Sequence, residues 1–438
     1  MVRRVAVVVL AFLGFLVSAV CADDWPQWLG PGRGSVWRER GIVKRFPKGG
    51  PPVKWRAPVA GGYAGPAVAG EKVYVMDYVR ESGEAFNSPS RRAKLEGRER
   101  VLCLDAADGS PVWQHEYPCS YNVSFPAGPR ATPTVADGKV YTLGTMGDLR
   151  CLDADTGRLV WAKDLKQQYN VRAPLWGFAG HPLVDGDRLF CVVGGQGSVA
   201  VAFDKETGKE LWRSLSAREP GYCPPIMIET GGKRQLIVWH AQAINGLDPE
   251  TGRVYWSVPL APSYGMSIAT PRRYGEYLFA TGIGHKAALL RLGGDPPRAE
   301  VVWRGDSRTA VYCANSTPFI DEGVIYGVCR QGELRGVELS TGRRLWETYG
   351  ATTGTRPASY GTAFLVKHQD RFFLFNDQGD LIIARLTASG YEELSRAHVL
   401  EPTNDGLGRP IVWSHPAFAG RCLFARNDRE LVCVSLAE

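Results

Sequence analysis

The chain has 438 residues and a formal net charge of +7. This positive excess is small for the length, so the composition does not indicate a nucleic-acid-binding protein. After residue 22, no stretch is apolar for long enough to cross a membrane.

Residues 1–22 are predicted to be a signal peptide. Two arginines precede a nearly unbroken apolar run from Val5 to Val20, and small residues follow it. Val20 and Ala22 suit the two positions that signal peptidase inspects, so cleavage after Ala22 is expected. The mature protein is therefore expected to be exported and to reside in the periplasm or outside the cell. Lipid anchoring through Cys21 is the disfavoured alternative, because such sites prefer a smaller residue than Val20.

Residues 23–52 are predicted to form an N-terminal collar. The segment Trp25–Gly34, WPQWLGPGRG, is rich in Trp, Pro and Gly and lacks the alternation of a strand. We expect this collar to be packed by its own aromatic side chains. Residues 53–438 are predicted to form one repeat domain, which begins with the isolated strand Val53–Arg56.

The repeat is clearest between Ala131 and Trp161. Short β-branched and aromatic runs are separated by turns at Asp137-Gly138, Gly147 and Thr156-Gly157. Four short antiparallel strands joined by tight turns make one blade of a propeller.

This copy ends in an acid, Asp153, then Thr156-Gly157, then Trp161 eight residues after the acid. The acid can accept hydrogen bonds from turn N–H groups, Gly supplies a positive φ, and Trp is expected to wedge between neighbouring blades. Five segments keep this spacing: Asp105–Trp113, Asp153–Trp161, Asp204–Trp212, Asp248–Trp256 and Glu338–Trp346.

Two independent series of residues predict eight blades. The outer-strand series is Trp55, Trp113, Trp161, Trp212, Trp256, Trp303, Trp346 and Leu394. The series that opens the inner strands is Pro66, Pro133, Pro182, Pro224, Pro271, Pro318, Ala363 and Pro416. The last copy, His415–Leu436, has three strands and no fourth, so Val53–Arg56 is expected to complete it and close the ring. The predicted fold is therefore an all-β, eight-bladed propeller of four-stranded antiparallel blades. Seven or nine blades are the alternatives, because blades five and seven lack Thr-Gly.

The Asp-x-x-Thr-Gly-x-x-x-Trp copies resemble the pyrroloquinoline quinone (PQQ)-type propeller repeat. The opening WPQWLGPGRG is similar to that of exported bacterial propellers, and the resemblance covers essentially the whole mature chain. The resemblance implies the fold but only weakly the function, because members of this group include two very different kinds of function. One is that of quinoprotein dehydrogenases, which bind PQQ and calcium at the ring axis. The other is that of the propeller scaffold of the outer-membrane assembly machine, which binds neither.

Up-and-down strands place the connections between blades on one face of the disc, and the Thr-Gly hairpins on the other. The first face carries aromatic residues in nearly every connection, which suits a ligand-binding funnel; the alternative is that the rings cap the core between blades. The predicted ligand-binding residues are Trp176, His181, Tyr222, Tyr264, Asn315, Tyr360, Trp413, His415 and Arg130. His181 and His415 belong to blades three apart, so we expect them not to share a metal, and no metal or catalytic residue is predicted.

Two long elements are predicted on the same face. One is the insert Val79–Arg100 in blade one, which is rich in both charges and is expected to be either a binding arm or a disordered flap. The other is Thr387–Val412.

The favoured function is a non-catalytic binding scaffold at the cell envelope. Its expected partner is an envelope protein, a peptide or a saccharide, with no cofactor. The alternative is a PQQ-dependent oxidoreductase. It is disfavoured because calcium prefers carboxylate ligands, and the residues just before the opening Pro of each inner strand include no Asp or Glu. Adjacent cysteines and a Cys-x-x-Cys-His haem motif, features of quinoprotein dehydrogenases, are also absent from the sequence.

Overall fold

The computed structural model describes residues 23–438. The predicted signal peptide, its cleavage site and Cys21 lie outside these residues. Eight four-stranded antiparallel sheets follow one another around a central axis, so the predicted eight-bladed propeller is confirmed. Within residues 23–438, no helix has the length and apolarity needed to cross a membrane.

The first four blades follow the initial strand β1 (Val53–Pro58). Blade 1 contains β2 (Ala67–Ala69), β3 (Lys72–Ser82), β4 (Ala93–Asp105) and β5 (Pro111–Pro118), with β6 (Tyr121–Val123) added to β4. Blade 2 contains β7 (Thr134–Ala136), β8 (Lys139–Leu143), β9 (Asp148–Asp153) and β10 (Leu159–Asp164). Blade 3 contains β11 (Leu183–Asp185), β12 (Arg188–Val192), β13 (Ala200–Asp204) and β14 (Glu210–Ser214). Blade 4 contains β15 (Ile226–Thr230), β16 (Lys233–Trp239), β17 (Ala243–Leu247) and β18 (Val254–Pro259).

The remaining four blades complete the ring. Blade 5 contains β19 (Arg272–Tyr274), β20 (Tyr277–Gly282), β21 (Lys286–Gly293) and β22 (Arg298–Arg304). Blade 6 contains β23 (Phe319–Asp321), β24 (Val324–Val328), β25 (Leu334–Glu338) and β26 (Arg344–Thr348). Blade 7 contains β27 (Ala363–His368), β28 (Arg371–Asn376), β29 (Asp380–Thr387) and β30 (Gly390–His398). A hairpin of β31 (Asn404–Asp405) and β32 (Pro410–Ile411) precedes blade 8, which contains β33 (Ala417–Ala419), β34 (Cys422–Arg426) and β35 (Glu430–Ser435).

The described helices are short. The helix α1 (Leu165–Tyr169) follows β10, and the Asp164 side chain accepts hydrogen bonds from the backbone N–H groups of Lys166 and Gln167 at its N-terminus. Two single 3₁₀ turns occur at Pro31–Arg33 and Ser263–Gly265.

The N-terminal strand closes the ring as predicted. Strand β1 is antiparallel to β35, and Trp55 lies opposite Cys433. Blade 8 therefore has the order β1-β35-β34-β33, and its outer strand comes from the other end of the chain. Closure in this way pairs an edge that would otherwise be exposed.

The Trp residues of the repeat connect each blade to the next. The Trp113 indole N–H donates to the carbonyl oxygen of Ala154 in the following blade, at 3.0 Å. Gly157 of the same following blade lies beneath the indole, and a Cβ at this glycine would be 2.5 Å from the Trp113 ring. Five other outer-strand Trp residues donate in the same way, to Ala106, Lys205, Pro249, Leu339 and Thr387. Trp256 precedes a blade without Thr-Gly, and it donates to Gln235 of its own blade instead.

The nine cysteines between residues 23 and 438 are all buried free thiols.

The collar does not pack on its own aromatic side chains as expected. Trp25 lies against Phe418 of blade 8, with ring centroids 5.8 Å apart. Trp37 contacts Phe373 and Phe418, at 5.3 and 5.1 Å. The indoles find larger apolar surfaces on blades 7 and 8 than on each other, so the segment becomes part of the propeller core.

The two ends of β9 are predicted to respond to pH in opposite directions. Burial, together with the nearby Glu99, raises the pKa of Asp148 to about 6 from its ordinary 3.8. Between about pH 4 and pH 6 the folded protein therefore keeps a proton that the unfolded chain has released. The free energy of unfolding falls as pH rises through this range, because the buried carboxyl group resists ionisation. Between pH 4 and pH 7.5, we expect the free energy of unfolding of Asp148→Asn to rise by about 2 kcal/mol relative to that of the wild type, as measured by urea unfolding.

Asp153 is the matched control at the other end of β9. Its carboxylate accepts hydrogen bonds from the Thr156 hydroxyl, at 2.7 Å, and from the Thr156 N–H, which lower its pKa. This stabilisation is present above the ordinary pKa and is lost as pH falls through the lowered value. Asp153→Asn is therefore expected to lose stability relative to the wild type as pH rises towards about 4, and to differ from it by a constant amount above that pH. Parallel pH profiles of the two variants would contradict the assignment.

Candidate functional site

A cavity of about 220 Å³ opens at the propeller axis on the face that carries the connections between blades. We call it the cup. Its lining residues are Trp28, Tyr63, Pro89, Phe125, Arg130, Trp176, Ala179, His181, Tyr222, Pro224, Met266, Ile268, Asn315, Tyr360, Phe364, Leu407, Trp413 and His415. The structure thus brings together eight of the nine residues predicted from the sequence.

The ninth, Tyr264, lies outside the cup, and 76% of its surface is exposed. It occupies the 3₁₀ turn Ser263–Gly265 with a φ of +60°. This left-handed backbone conformation is rare for a bulky residue, and the aromatic pattern of the sequence did not reveal it. Met266, two residues later, takes the place in the lining that was expected of Tyr264.

Trp28 forms the floor of the cup. Its ring stacks on His181, with centroids 4.1 Å apart and planes at 18°, and lies 4.7 Å from the ring of His415. Its indole N–H donates to the Thr270 hydroxyl at 3.0 Å. Trp28 therefore contacts blades 3, 5 and 8 at once. The sequence did not assign it to the site because it lies outside the repeat.

Arg33 holds this floor in place from below. Its guanidinium donates to the carbonyl oxygens of Pro225, at 2.7 Å, and His181, at 3.2 Å, and also to that of Pro182. Arg272 in turn donates to the carbonyl oxygen of Arg33 at 2.8 Å. The collar thus crosses the axis and is bonded to the first residues of the inner strands.

The walls of the cup are formed by pairs of aromatic residues. Trp176 meets Tyr222 edge to face, with centroids 5.5 Å apart. Phe125 and Trp413 meet at 5.9 Å. Tyr360, at a φ of +56°, completes the wall near blade 7. The predicted funnel lined by aromatic residues is therefore present, and these rings do not serve only as caps of the core.

Arg130 has a structural role in the cup. Its Nε–H donates to the Trp176 carbonyl at 2.7 Å, and its other N–H groups donate to the carbonyls of Gly128, Ser124 and Phe125 and to the Thr145 hydroxyl. All five donors are thus used within the protein. An anion in the cup would find no free N–H on this guanidinium.

The two histidines of the floor present opposite hydrogen-bonding groups. Burial lowers the pKa of His415 to about 3 and holds the pKa of His181 well below its ordinary range, so both rings are neutral. His415 Nδ1 is 2.7 Å from the Pro416 carbonyl oxygen, which can only accept, so this nitrogen carries the proton. Its Nε2 is a buried acceptor without a partner in residues 23–438.

His181 is the opposite tautomer. Its Nδ1 accepts a hydrogen bond from the backbone N–H of Thr132 at 2.8 Å, so the proton must be on Nε2. The floor therefore offers one N–H donor and one bare nitrogen acceptor on either side of Trp28. Asn315, which is half-buried in the lining, adds an amide that can both donate and accept.

The predicted insert is an ordered arm at the rim of the cup, so the disordered flap is wrong. It lengthens β3 and β4 into a hairpin, and β6 pairs with β4. The Asn87 side chain donates to the side-chain oxygen of Asn404 at 2.8 Å. Asn404 in turn donates to the Tyr63 hydroxyl at 3.1 Å, so the tip of the arm is latched across the rim.

Only part of the second long element belongs to this face. Residues 387–398 form the turn and outer strand of blade 7, and the turn lies on the opposite face. Residues 399–412 form the connection to blade 8, and Leu407 from this connection lines the cup. The sequence boundaries were too wide because blade 7 lacks the Thr-Gly signature that marks the hairpin.

The residues of the cup do not fit PQQ with calcium. PQQ carries three carboxylates, and Arg130, the one guanidinium among the lining residues, has no free donor. Calcium requires several oxygen ligands, and no Asp or Glu is found in the lining given above. Across residues 23–438, no three His, Cys, Asp or Glu side chains are grouped as metal ligands. Trp28 also fills the floor on the axis.

Comparison with known proteins gives both a family and a fold. The family model described as outer membrane protein assembly factor BamB matches residues 97–289 and 240–438. A curated protein of that name from Shewanella oneidensis is 23% identical over 193 residues, which are 43% of this chain and 47% of that protein. The matched region thus spans about half the length of this relative.

Two solved structures share the fold. BamB from Moraxella catarrhalis is 16% identical with a TM-score of 0.54, over 86% of this chain and 97% of that chain. Quinohemoprotein alcohol dehydrogenase from Comamonas testosteroni is 14% identical with a TM-score of 0.58, over 94% of this chain and 80% of that chain. At these identities the likeness concerns the propeller alone.

Proposed function

This chain belongs to the outer membrane protein assembly factor BamB family, and from that premise we propose that it is an exported, non-catalytic scaffold that holds a partner of the cell envelope on the face of the cup. Scaffold binding requires a rigid disc with one specialised face, and the closed ring supplies it. The cup, its rim and the arm are all on this face.

The observation that carries the proposal is the cup itself. Among the lining residues given above, the one charged side chain is that of Arg130, whose N–H groups all donate within the protein, and the two histidines are neutral and hydrogen-bonded to the backbone. A general base must reach a substrate proton at a pKa near the working pH, and buried rings with strongly lowered pKa values are poorly suited to that work. The same groups are well suited to recognition, since they are fixed and need no reorganisation.

Affinity capture from an envelope extract of the source organism tests the proposal. The wild-type protein is compared with an unlatched variant, Asn87→Ala with Arg92→Ala, which removes the contacts of the arm to Asn404, Asn122 and Ala173. We expect one or more envelope proteins or glycans to be retained by the wild type and at least tenfold less by the unlatched variant. Tyr264→Ala, on the same face but outside the cup, is the matched control and is expected to retain the partner.

Two outcomes would overturn the proposal. One is equal retention by the wild type and the unlatched variant. The other is a quinone absorbance and dye-linked alcohol oxidation after PQQ and calcium are added to the purified protein, which would restore the oxidoreductase alternative.

A further inference from the structure

The cup is built for an uncharged ligand. Its lining, as far as the structure describes the chain, contains one charged side chain, that of Arg130, and all five of its donors are bound. Asp377, close behind the wall, is paired with Arg409 and accepts from the Thr362 N–H. A carboxylate would lose its hydration on entry, and although Arg130 is cationic, none of its N–H groups is free to replace the lost hydrogen bonds, which is unfavourable.

The floor demands a ligand that both donates and accepts hydrogen bonds. His415 Nε2 is an acceptor with no partner, in a residue that is 4% exposed. His181 Nε2–H, on the other side of Trp28, is a donor. Leaving a buried acceptor unpaired costs about 1–3 kcal/mol. Less than 1 Å² of this nitrogen is accessible in the unliganded protein, so a hydroxyl that recovers this free energy reaches it only after a neighbouring side chain shifts. A hydroxyl can donate to one ring and accept from the other, whereas an apolar side chain can do neither.

The walls add flat apolar surfaces to these polar groups. Trp28, Trp176 and Trp413 border a cavity of about 220 Å³. If one water takes about 10–15 Å³ by the same measure, there is room for roughly fifteen to twenty waters, which matches one or two sugar rings. Sugar rings have apolar C–H faces for the indoles and hydroxyl edges for the histidines.

We propose that the cup binds the end of a neutral saccharide chain, with one or two sugar rings between the aromatic walls and ring hydroxyls on His181, His415 and Asn315. This inference rests on the proposed function, since it names the ligand class that the scaffold holds on its cup face. A peptide fits less well, because its backbone would bring a row of N–H and C=O groups into a lining that offers few polar partners.

Titration of the purified protein with neutral oligosaccharides tests this assignment. The probes are disaccharides and tetrasaccharides of glucose, galactose, mannose and N-acetylglucosamine, followed by tryptophan emission and calorimetry. At least one probe is expected to bind with a Kd of about 1 mM or lower. Replacing its terminal sugar by a uronic acid is expected to weaken binding at least tenfold, because no N–H group of Arg130 is free to bind the carboxylate.

Substitutions distinguish the cup from other surfaces. His415→Leu is expected to weaken binding about tenfold, the effect of one lost hydrogen bond, and His415→Gln to restore part of it through the amide oxygen. Trp413→Ala is expected to weaken binding at least tenfold, and Tyr264→Ala to leave it unchanged. Thermal unfolding of each variant shows that it is folded; if His415→Leu is not, Trp413→Ala and Asn315→Ala serve in its place.

Failure of the saccharide assignment can be told apart from failure of the scaffold proposal. Binding of no neutral probe, binding unchanged by Trp413→Ala, or preferential binding of an extended aromatic peptide would each overturn the saccharide. Capture of an envelope protein by the wild type but not by the unlatched variant would leave the scaffold proposal standing in all three cases.

Discussion

Replacing Arg33 by alanine is expected to lower the free energy of unfolding by about 3–5 kcal/mol. The guanidinium is 4% exposed and donates to the carbonyl oxygens of His181, Pro182 and Pro225. These carbonyls open the inner strands of blades 3 and 4. Without the guanidinium they would be buried without donors, and the collar beneath Trp28 would lose its attachment to the axis. Chemical unfolding in urea measures the effect.

Two variants make this test specific. Arg38→Ala removes an exposed arginine of the same collar segment and is expected to change stability by less than about 0.5 kcal/mol. Arg33→Lys is expected to recover little of the lost free energy of unfolding, because one ammonium group cannot donate to all three carbonyl oxygens that the planar guanidinium reaches. Equal urea midpoints for Arg33→Ala and Arg38→Ala would show that the collar does not hold the axis.

The blade count and ring closure could be predicted because they are periodic. Trp55 matched the outer-strand series although three inner strands were missing before it, and the structure pairs it with Cys433. Ala363 was placed correctly, at the start of β27 in the degenerate seventh copy. Leu394 was misplaced by one residue, because Ser395 lies opposite Ile383 where the other copies have Trp, and Leu394 is the bulge residue. Because a repeat fold carries the same pattern in many copies, the number of blades can still be predicted when one copy lacks its signature.

The floor of the cup could not be predicted in the same way. Trp28 reaches Thr270 across 242 residues of sequence, and a segment that occurs once has no period by which to place it. Arg130 was placed correctly in the lining, but whether its guanidinium faces a ligand or the backbone depends on loop carbonyls that the sequence does not locate. The Tyr264 side chain was misplaced by a single positive φ. Sites on loops depend on such local details, while the frame beneath them does not.

The Thr-Gly signature has a second physical reason that the sequence pattern did not reveal. Positive φ explains why Gly is favoured in the turn, but the structure also places the indole of the preceding blade directly on this glycine. A Cβ at Gly109, Gly157 or Gly252 would lie 2.5–2.6 Å from the ring of Trp55, Trp113 or Trp212, respectively. The signature thus encodes the interface between blades as well as the turn.

Gly157→Ala is therefore expected to destabilise the protein far more than its turn conformation requires. Gly138 is the matched control in the same blade. Its φ of +72° nearly equals the +70° of Gly157, but a Cβ there would meet nothing within 4 Å. Gly138→Ala is expected to cost about 1–2 kcal/mol, for the left-handed backbone alone. Gly157→Ala carries the same backbone cost and also forces the Trp113 indole away, for a total of about 2–5 kcal/mol.

The two glycine variants should also respond differently when the Trp113 side chain is shortened. Trp113→Leu shortens the side chain above Gly157, so the double variant with Gly157→Ala is expected to be more stable than the sum of the two single losses, by about 1–3 kcal/mol of coupling. The double variant with Gly138→Ala is expected to be additive within about 0.5 kcal/mol, because a Cβ at Gly138 would meet no atom of Trp113 within 4 Å. Urea unfolding of the three single and two double variants measures both couplings. Equal couplings would mean that the glycine serves the turn alone and that the indole can move aside without loss.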